Sequence, residues 1–246
     1  MKHKVLILCL TILLSTKVAA QEYSGLTGLL CVPSADADSA GTFRGGTTFL
    51  HRSFLPPKFA AKKDYHTAGY YVGLSPWSWL EMSYAVVLLK TRNNGSNSLN
   101  NEDRRICMKV RPLEEGRWWP SIALGMDDVH FRWGDKRDQS GGRNNYFQNI
   151  YIAGSKHFII SGYEIGTHLA YRYYSSDENQ ERLGAAGGVT LRPAFYQSLR
   201  FIAEWDGAGV NIGTDVLLWR HLFIQACLVH GRGFTGGVGY HYTIPF

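Results

Sequence analysis

Eleven ionisable residues recur on one side of alternating segments: Arg44, Glu81, Arg105, Lys109, Glu164, His168, Arg172, Arg200, Glu204, Asp206 and Asp215. Five are cationic, five are carboxylates and one is a histidine, so a space lined by them is close to neutral. Isolated buried charges are costly. One reading is therefore a salt-bridged, mostly closed interior, and the other is a selectivity lining for a polar path. Catalytic chemistry has little support. A membrane-embedded lipid hydrolase needs a Ser and a His together, with a polar group orienting the ring. His51, His66, His130, His157, His168, His221, His230 and His241 are spread singly, and no Ser–His arrangement can be read. Asp36 and Asp38 suggest a cation loop, but two carboxylates without further ligands make a poor one. Cys31, Cys107 and Cys227 match no metal spacing and read as small side chains in strands. Asn94-Gly95-Ser96 matches a glycosylation acceptor and is read as a turn. The expectation is no catalytic residue, no metal and no cofactor.

The elements that carry these residues are set by period-2 alternation. Leu199, Phe201, Ala203 and Trp205 alternate with Arg200, Ile202, Glu204 and Asp206. Tyr163, Ile165, Thr167, Leu169 and Tyr171 alternate with Glu164, Gly166, His168 and Arg172. Leu80, Met82, Tyr84, Val86 and Leu88 oppose Glu81, Ser83 and Ala85, and Ile106, Met108 and Val110 oppose Arg105, Lys109 and Arg111. The same pattern predicts about twelve strands, near 43–54, 65–74, 79–90, 104–111, 119–127, 147–157, 162–173, 183–192, 197–206, 209–218, 221–230 and 234–246. Convincing 3.6-residue periodicity is absent.

Composition agrees with an all-β chain. The 246 residues are 45% hydrophobic and 19% charged, with 27 Gly, 7 Trp, 14 Tyr and 12 Phe. That excludes a disordered chain. Residues 1–20 read as a secretory signal: Lys2 and Lys4, an apolar core from Val5 to Leu14, and the small Val18-Ala19-Ala20 before the cut. Its removal takes Lys2, Lys4 and Lys17, so 26 basic residues become 23 against 20 acidic, a net charge of +3. Such a small, dispersed charge gives no reason to expect a nucleic-acid partner.

Alternation alone does not separate a soluble sandwich from a membrane barrel. Strand length, loop asymmetry and aromatics favour the barrel. The predicted strands run about ten residues, enough to cross a bilayer when tilted. Connections near 91–103, 128–146 and 174–182 are long and polar, whereas those near 75–78, 112–118, 158–161, 193–196 and 219–220 are short. Outer-membrane barrels pair long outer loops with short periplasmic turns. Trp77, Trp79, Trp118, Trp119, Trp205 and Trp219 sit at strand ends, where rings suit the membrane interface. Tyr240, Tyr242, Ile244 and Phe246 share one face of a last strand that ends in Phe. This resembles the terminal signal read by the barrel-assembly machinery. The expected fold is a single antiparallel β-barrel of about twelve strands, outer-membrane type, in the outer membrane of a Gram-negative bacterium, in contact with lipid and lipopolysaccharide.

Residues 21–42 precede the barrel of residues 43–246. Gly25-Leu26-Thr27-Gly28-Leu29, then Pro33-Ser34-Ala35, then Gly41 ahead of the first strand, resemble the YjbH-like family. The resemblance implies an outer-membrane protein linked to exopolysaccharide biosynthesis and export, with polysaccharide or polysaccharide-export proteins as partners. Three readings of the pre-barrel segment stay open: tucked into the lumen, laid across the periplasmic mouth, or an unstructured leader. Three readings of function also stay open. They are a barrel that supports exopolysaccharide production without being an enzyme, a narrow pore for small polar solutes, and a membrane-embedded lipid-modifying enzyme.

Overall fold

The computed structural model describes residues 22–55, 65–93, 96–128, 147–174 and 181–245. The expected signal at 1–20, the loop stretch 129–146 and the terminal Phe246 lie outside the described residues.

Twelve strands form one closed antiparallel barrel in sequence order. They are β1 (Thr42–Leu50), β2 (Thr67–Trp77), β3 (Leu80–Asn93), β4 (Ser96–Leu113), β5 (Ser121–Asp127), β6 (Asn149–Ile160), β7 (Tyr163–Tyr174), β8 (Gly184–Arg192), β9 (Leu199–Trp205), β10 (Val210–Leu218), β11 (Leu222–Val229) and β12 (Gly233–Thr243). Closure pairs β1 with β12, from Thr42 opposite Thr243 to Phe49 opposite Gly236. No sheet edge is left, which removes the hazard of unpaired strand groups.

The alternation resolves into two faces. Val72, Tyr84, Ile106, Ile152, Leu169, Phe201, Ile212 and Tyr240 stand outward and are exposed. The opposite face carries Arg44, Glu81, Arg105, Arg172, Arg200 and Glu204, which point inward and are buried. An apolar outer belt of this kind suits lipid rather than water. Trp77, Trp79, Trp118, Trp119 and Trp219 are exposed around the rim that carries the short turns, and Trp77 stacks on Trp79 with ring centroids 5.4 Å apart.

Two elements differ from expectation. The polar stretch 91–103 was expected as a loop, yet β3 and β4 run on through it and leave only a short connection. Its residues are mostly polar and give no apolar alternation to read. Strand β1 stops at Leu50, and a 3-10 turn over Arg52–Phe54 buries Phe54.

The interior is filled by the chain's own residues 22–41, the plug. Leu26, Leu29, Leu30, Val32 and Ala35 are buried. Leu29, Leu30, Cys31 and Val32 pack on small wall residues, among them Ala153, Ala170, Ala186 and Cys227. A bridge between Gly28 and Pro33, with the Leu29 amide donating to the Val32 carbonyl at 2.9 Å, folds the plug back on itself. Cys31, expected in a strand, lies in this plug; all three described cysteines are free and buried.

Candidate functional site

The inward charges converge on the plug. Glu204 on β9 receives the amides of Leu30 at 3.0 Å, Cys31 at 2.9 Å and Val32 at 3.2 Å, and the Asn211 side chain at 2.8 Å. Three consecutive N–H groups thus form a nest around one carboxylate. Glu81 on β3 receives the Thr27 amide at 3.1 Å and the Asp38 amide at 2.8 Å. It also pairs with Lys109 at 2.9 Å and Arg44 at 3.2 Å. Arg44 reaches back to Asp38 at 2.7 Å. Lys109 donates to the carbonyls of Thr27 at 2.7 Å and Asp36 at 2.6 Å, and to the Thr27 hydroxyl. Arg200 pairs with Asp215 at 3.0 Å and donates to the Gly28 carbonyl at 2.9 Å. Arg172 donates to the Cys31 carbonyl at 3.1 Å and to the Asp206 carbonyl. Chain amides and carbonyls therefore satisfy wall charges that would otherwise be costly to bury.

The other expected lumen residues play different parts. Arg105 lies over the Tyr23 and Phe147 rings, 4.7 and 4.4 Å from their centroids. Glu164 pairs with Arg192 at 3.1 Å near the short-turn rim. Asp206 caps the turn after β9, receiving the amides of Ala208 at 3.1 Å and Gly209 at 2.9 Å and facing His230 at 3.1 Å. On β12, Tyr240 and Tyr242 are exposed on the outer face, as is Ile244 just past its end, whereas His241 is buried and stacks on Phe223 at 5.3 Å.

One cluster escaped the reading of the histidines as isolated. Ser155 and His168 are direct partners across the β6–β7 hairpin, and His157 sits two residues further along β6. The Ala35 amide donates to Ser155 Oγ at 2.9 Å, and Ser155 Oγ lies 2.9 Å from His168 Nδ1. His168 Nε2 is 3.1 Å from the Thr190 hydroxyl. Asp36 of the plug faces both rings, with Oδ1 3.6 Å from His157 Nε2 and Oδ2 3.9 Å from His168 Nδ1. His157 Nδ1 is held by Glu115 Oε2 at 2.7 Å. Burial alone would raise Asp36, but the His168 and His157 rings, with Arg200 and Lys109, outweigh it and hold the carboxyl at about 2. A Ser–His pair therefore does exist, contrary to the sequence reading. In a hydrolytic relay the hydroxyl and the orienting acid occupy opposite ring nitrogens. Here Ser155 and Asp36 both approach Nδ1, an arrangement suited to gathering ligands rather than activating the hydroxyl.

The hairpin signal was available in principle. A two-residue turn at 161–162 sets the register, and that register puts Ser155 and His168 opposite one another. Asp36 and Glu115 come from distant segments, and no local pattern announces them.

Residues 20–180 match a family described as exopolysaccharide biosynthesis protein YbjH, a span that includes the plug and β1 to β7. No curated protein sequence matches the chain. Among solved structures the chain is similar to outer membrane phospholipase A from Escherichia coli, at 12% identity and TM-score 0.36, over 86% of this chain and 99% of that one. It is also similar to the Salmonella typhi outer membrane phospholipase dimer with bound calcium, at 10% identity and TM-score 0.37, over 85% of this chain and 92% of that one. This likeness corrects the expectation of a barrel that is not an enzyme: the solved barrels it resembles are named as phospholipases.

Proposed function

We propose that this chain, which belongs to the YjbH family, is an outer-membrane barrel of a Gram-negative bacterium that supports exopolysaccharide production or passage across the envelope. In this reading residues 1–20 are the export signal, residues 21–42 carry the plug and residues 43–246 form the barrel. The observation that carries the mechanism is the lumen filled by residues 22–41 and hydrogen-bonded to wall charges. A barrel so closed has no standing channel among the described residues, so passage requires the plug to move. Once it moves, the wall presents Arg, Lys, Glu and Asp side chains whose hydrogen-bonding groups suit a polyhydroxylated polymer. Its partners are lipid and lipopolysaccharide outside, the assembly machinery during insertion, and polysaccharide or polysaccharide-export proteins in function.

Deleting the gene should lower extracellular polysaccharide, and the intact gene in trans should restore it. Reconstituted wild-type protein should conduct rarely in planar bilayers. Unchanged polysaccharide in the deletion strain would sink the reading.

A further inference from the structure

We propose that Asp36, His157 and His168 form a binding site for a divalent transition metal of the zinc class, which fastens the plug to the barrel wall. One ligand atom from each of the three lies within 4.8 Å of the others. Asp36 belongs to the plug, His157 to β6 and His168 to β7, so an ion held by all three ties the plug to the β6–β7 hairpin of the wall.

The donor chemistry fits. Two imidazole nitrogens and a carboxylate oxygen are a common three-ligand set for zinc, with a fourth position left for water. Bonds of about 2.0–2.2 Å in a tetrahedron place neighbouring ligand atoms roughly 3.3–3.6 Å apart. The Asp36 oxygens already stand 3.6 and 3.9 Å from the two ring nitrogens. Binding draws the three ligand atoms, which lie within 4.8 Å of one another, in to that spacing.

The surroundings also fit. Metal-binding histidines usually hand their other ring nitrogen to a polar partner that fixes the tautomer. His157 Nδ1 meets Glu115 at 2.7 Å, which leaves Nε2 turned toward Asp36. Glu115 is itself held by Lys156 at 2.9 Å and by the His157 amide at 2.9 Å. His168 Nε2 meets Thr190, which leaves Nδ1 as the lone-pair nitrogen. The Ala35 amide occupies the Ser155 oxygen, so the Ser155 hydrogen points to that same Nδ1 and must turn aside when a metal binds. The nearby cations are committed elsewhere: Arg200 to Asp215, Lys109 to Glu81 and Arg192 to Glu164. The cluster lies toward the short-turn rim, and Asp36 and His157 are only partly buried, so an ion has a route in.

The test titrates zinc chloride into detergent-refolded, metal-stripped protein against a chromophoric chelator. Folding of each variant is checked by its heat-dependent shift on a denaturing gel. Wild type should bind one zinc per chain. Asp36→Asn and His157→Ala should each weaken binding at least 100-fold, and Glu115→Gln by about 10-fold through loss of the Glu115 partner. His66→Ala, at the opposite rim, should change nothing. Zinc should also slow thiol labelling of Cys31 in wild type and not in Asp36→Asn. Absent binding in folded wild type, or affinity equal in wild type, Asp36→Asn and His157→Ala, overturns the site. The readout needs no polysaccharide, so its failure is separable from failure of the export reading.

Discussion

Replacing Glu204 by alanine should release the plug while leaving the barrel folded. The Glu204 carboxylate is buried and takes the amides of Leu30, Cys31 and Val32 together with the Asn211 side chain. A buried donor left without a partner costs roughly 1–3 kcal/mol. Three plug amides set a range of about 3–9 kcal/mol, and water entering the gap brings the effect toward its lower end. At about 1.4 kcal/mol per decade, 3 kcal/mol moves the seated-to-released ratio about 100-fold. The strand ladder loses nothing, because the β9 main chain keeps its pairs with β8 and β10. Cys31 reports the change directly, since it is buried in the plug and becomes reachable only when the plug leaves. With Cys107 and Cys227 replaced by alanine, a maleimide should label Cys31 about 100-fold faster in Glu204→Ala than in the parent. Glu204→Gln keeps one acceptor oxygen and should fall between. Heat-dependent gel migration should be the same in all three. Equal labelling of parent and Glu204→Ala, with both folded, would refute the claim that this nest seats the plug.

Three further outcomes test the frame. Glu22 is pushed up to about 8, first by burial and then by the Asp127 carboxylate, so the seated plug holds a proton that the released plug gives up near 4.5. The seated state binds more protons in that window, so seating weakens as pH rises from about 4.5 toward 8. Cys31 labelling, normalised to a free thiol, should accelerate across that range, and Glu22→Gln should flatten the profile; an identical profile in that variant would refute the assignment. For orientation, cysteine at Glu181 should react with an impermeant reagent on whole cells and cysteine at Glu114 should not; the reverse would invert the barrel. For assembly, Tyr242→Asp should lower inserted protein strongly because the side chain faces lipid, whereas His241→Ala on the inner face should insert nearly normally. Equal losses would mean the register of β12 is wrong.

The strands were legible because a barrel wall has two unlike solvents. Leu199, Phe201 and Ala203 against Arg200, Ile202 and Glu204 read as a strand without any tertiary knowledge, and β9 and β10 fall within a residue or two of expectation. The hairpin through 91–103 was not legible, because polar residues such as Asn97, Ser98 and Asn100 give no apolar–polar alternation in sequence. The pre-barrel segment was legible only as a run of turns. Its seating depends on Glu81, 43 and 54 residues away from the amides it holds, and on Glu204, more than 170 away, and no local pattern encodes such a pairing. The Asp36–His157–His168 cluster failed for the same reason in part. Two of its members follow from hairpin register, but the third comes from the plug.

The contacts that hold the plug are unequal in what they lose when it leaves. Arg200 keeps Asp215, Lys109 keeps Glu81 and Arg44 keeps Glu81, because these pairs lie within the wall. Water can replace the plug carbonyls on the same cations at small cost. The plug has no such recourse. Leu26, Leu29, Leu30 and Val32 leave burial, at about 1.5–3 kcal/mol for each large side chain. The wall is shaped around two of these residues. A methyl group on Gly188 would come within 2.5 Å of Leu29, and one on Gly213 within 3.0 Å of Leu30. Those glycines make room for the plug and for the neighbouring strands alike, since the same methyl groups would meet the Ala203 and Ala226 carbonyls at 2.7 and 2.5 Å. The wall therefore stays satisfied with the lumen filled or hydrated, while the plug is satisfied only when seated. On the export reading proposed above, that asymmetry would allow the plug to leave and return without the barrel refolding, with apolar burial and the Glu204 nest setting the balance.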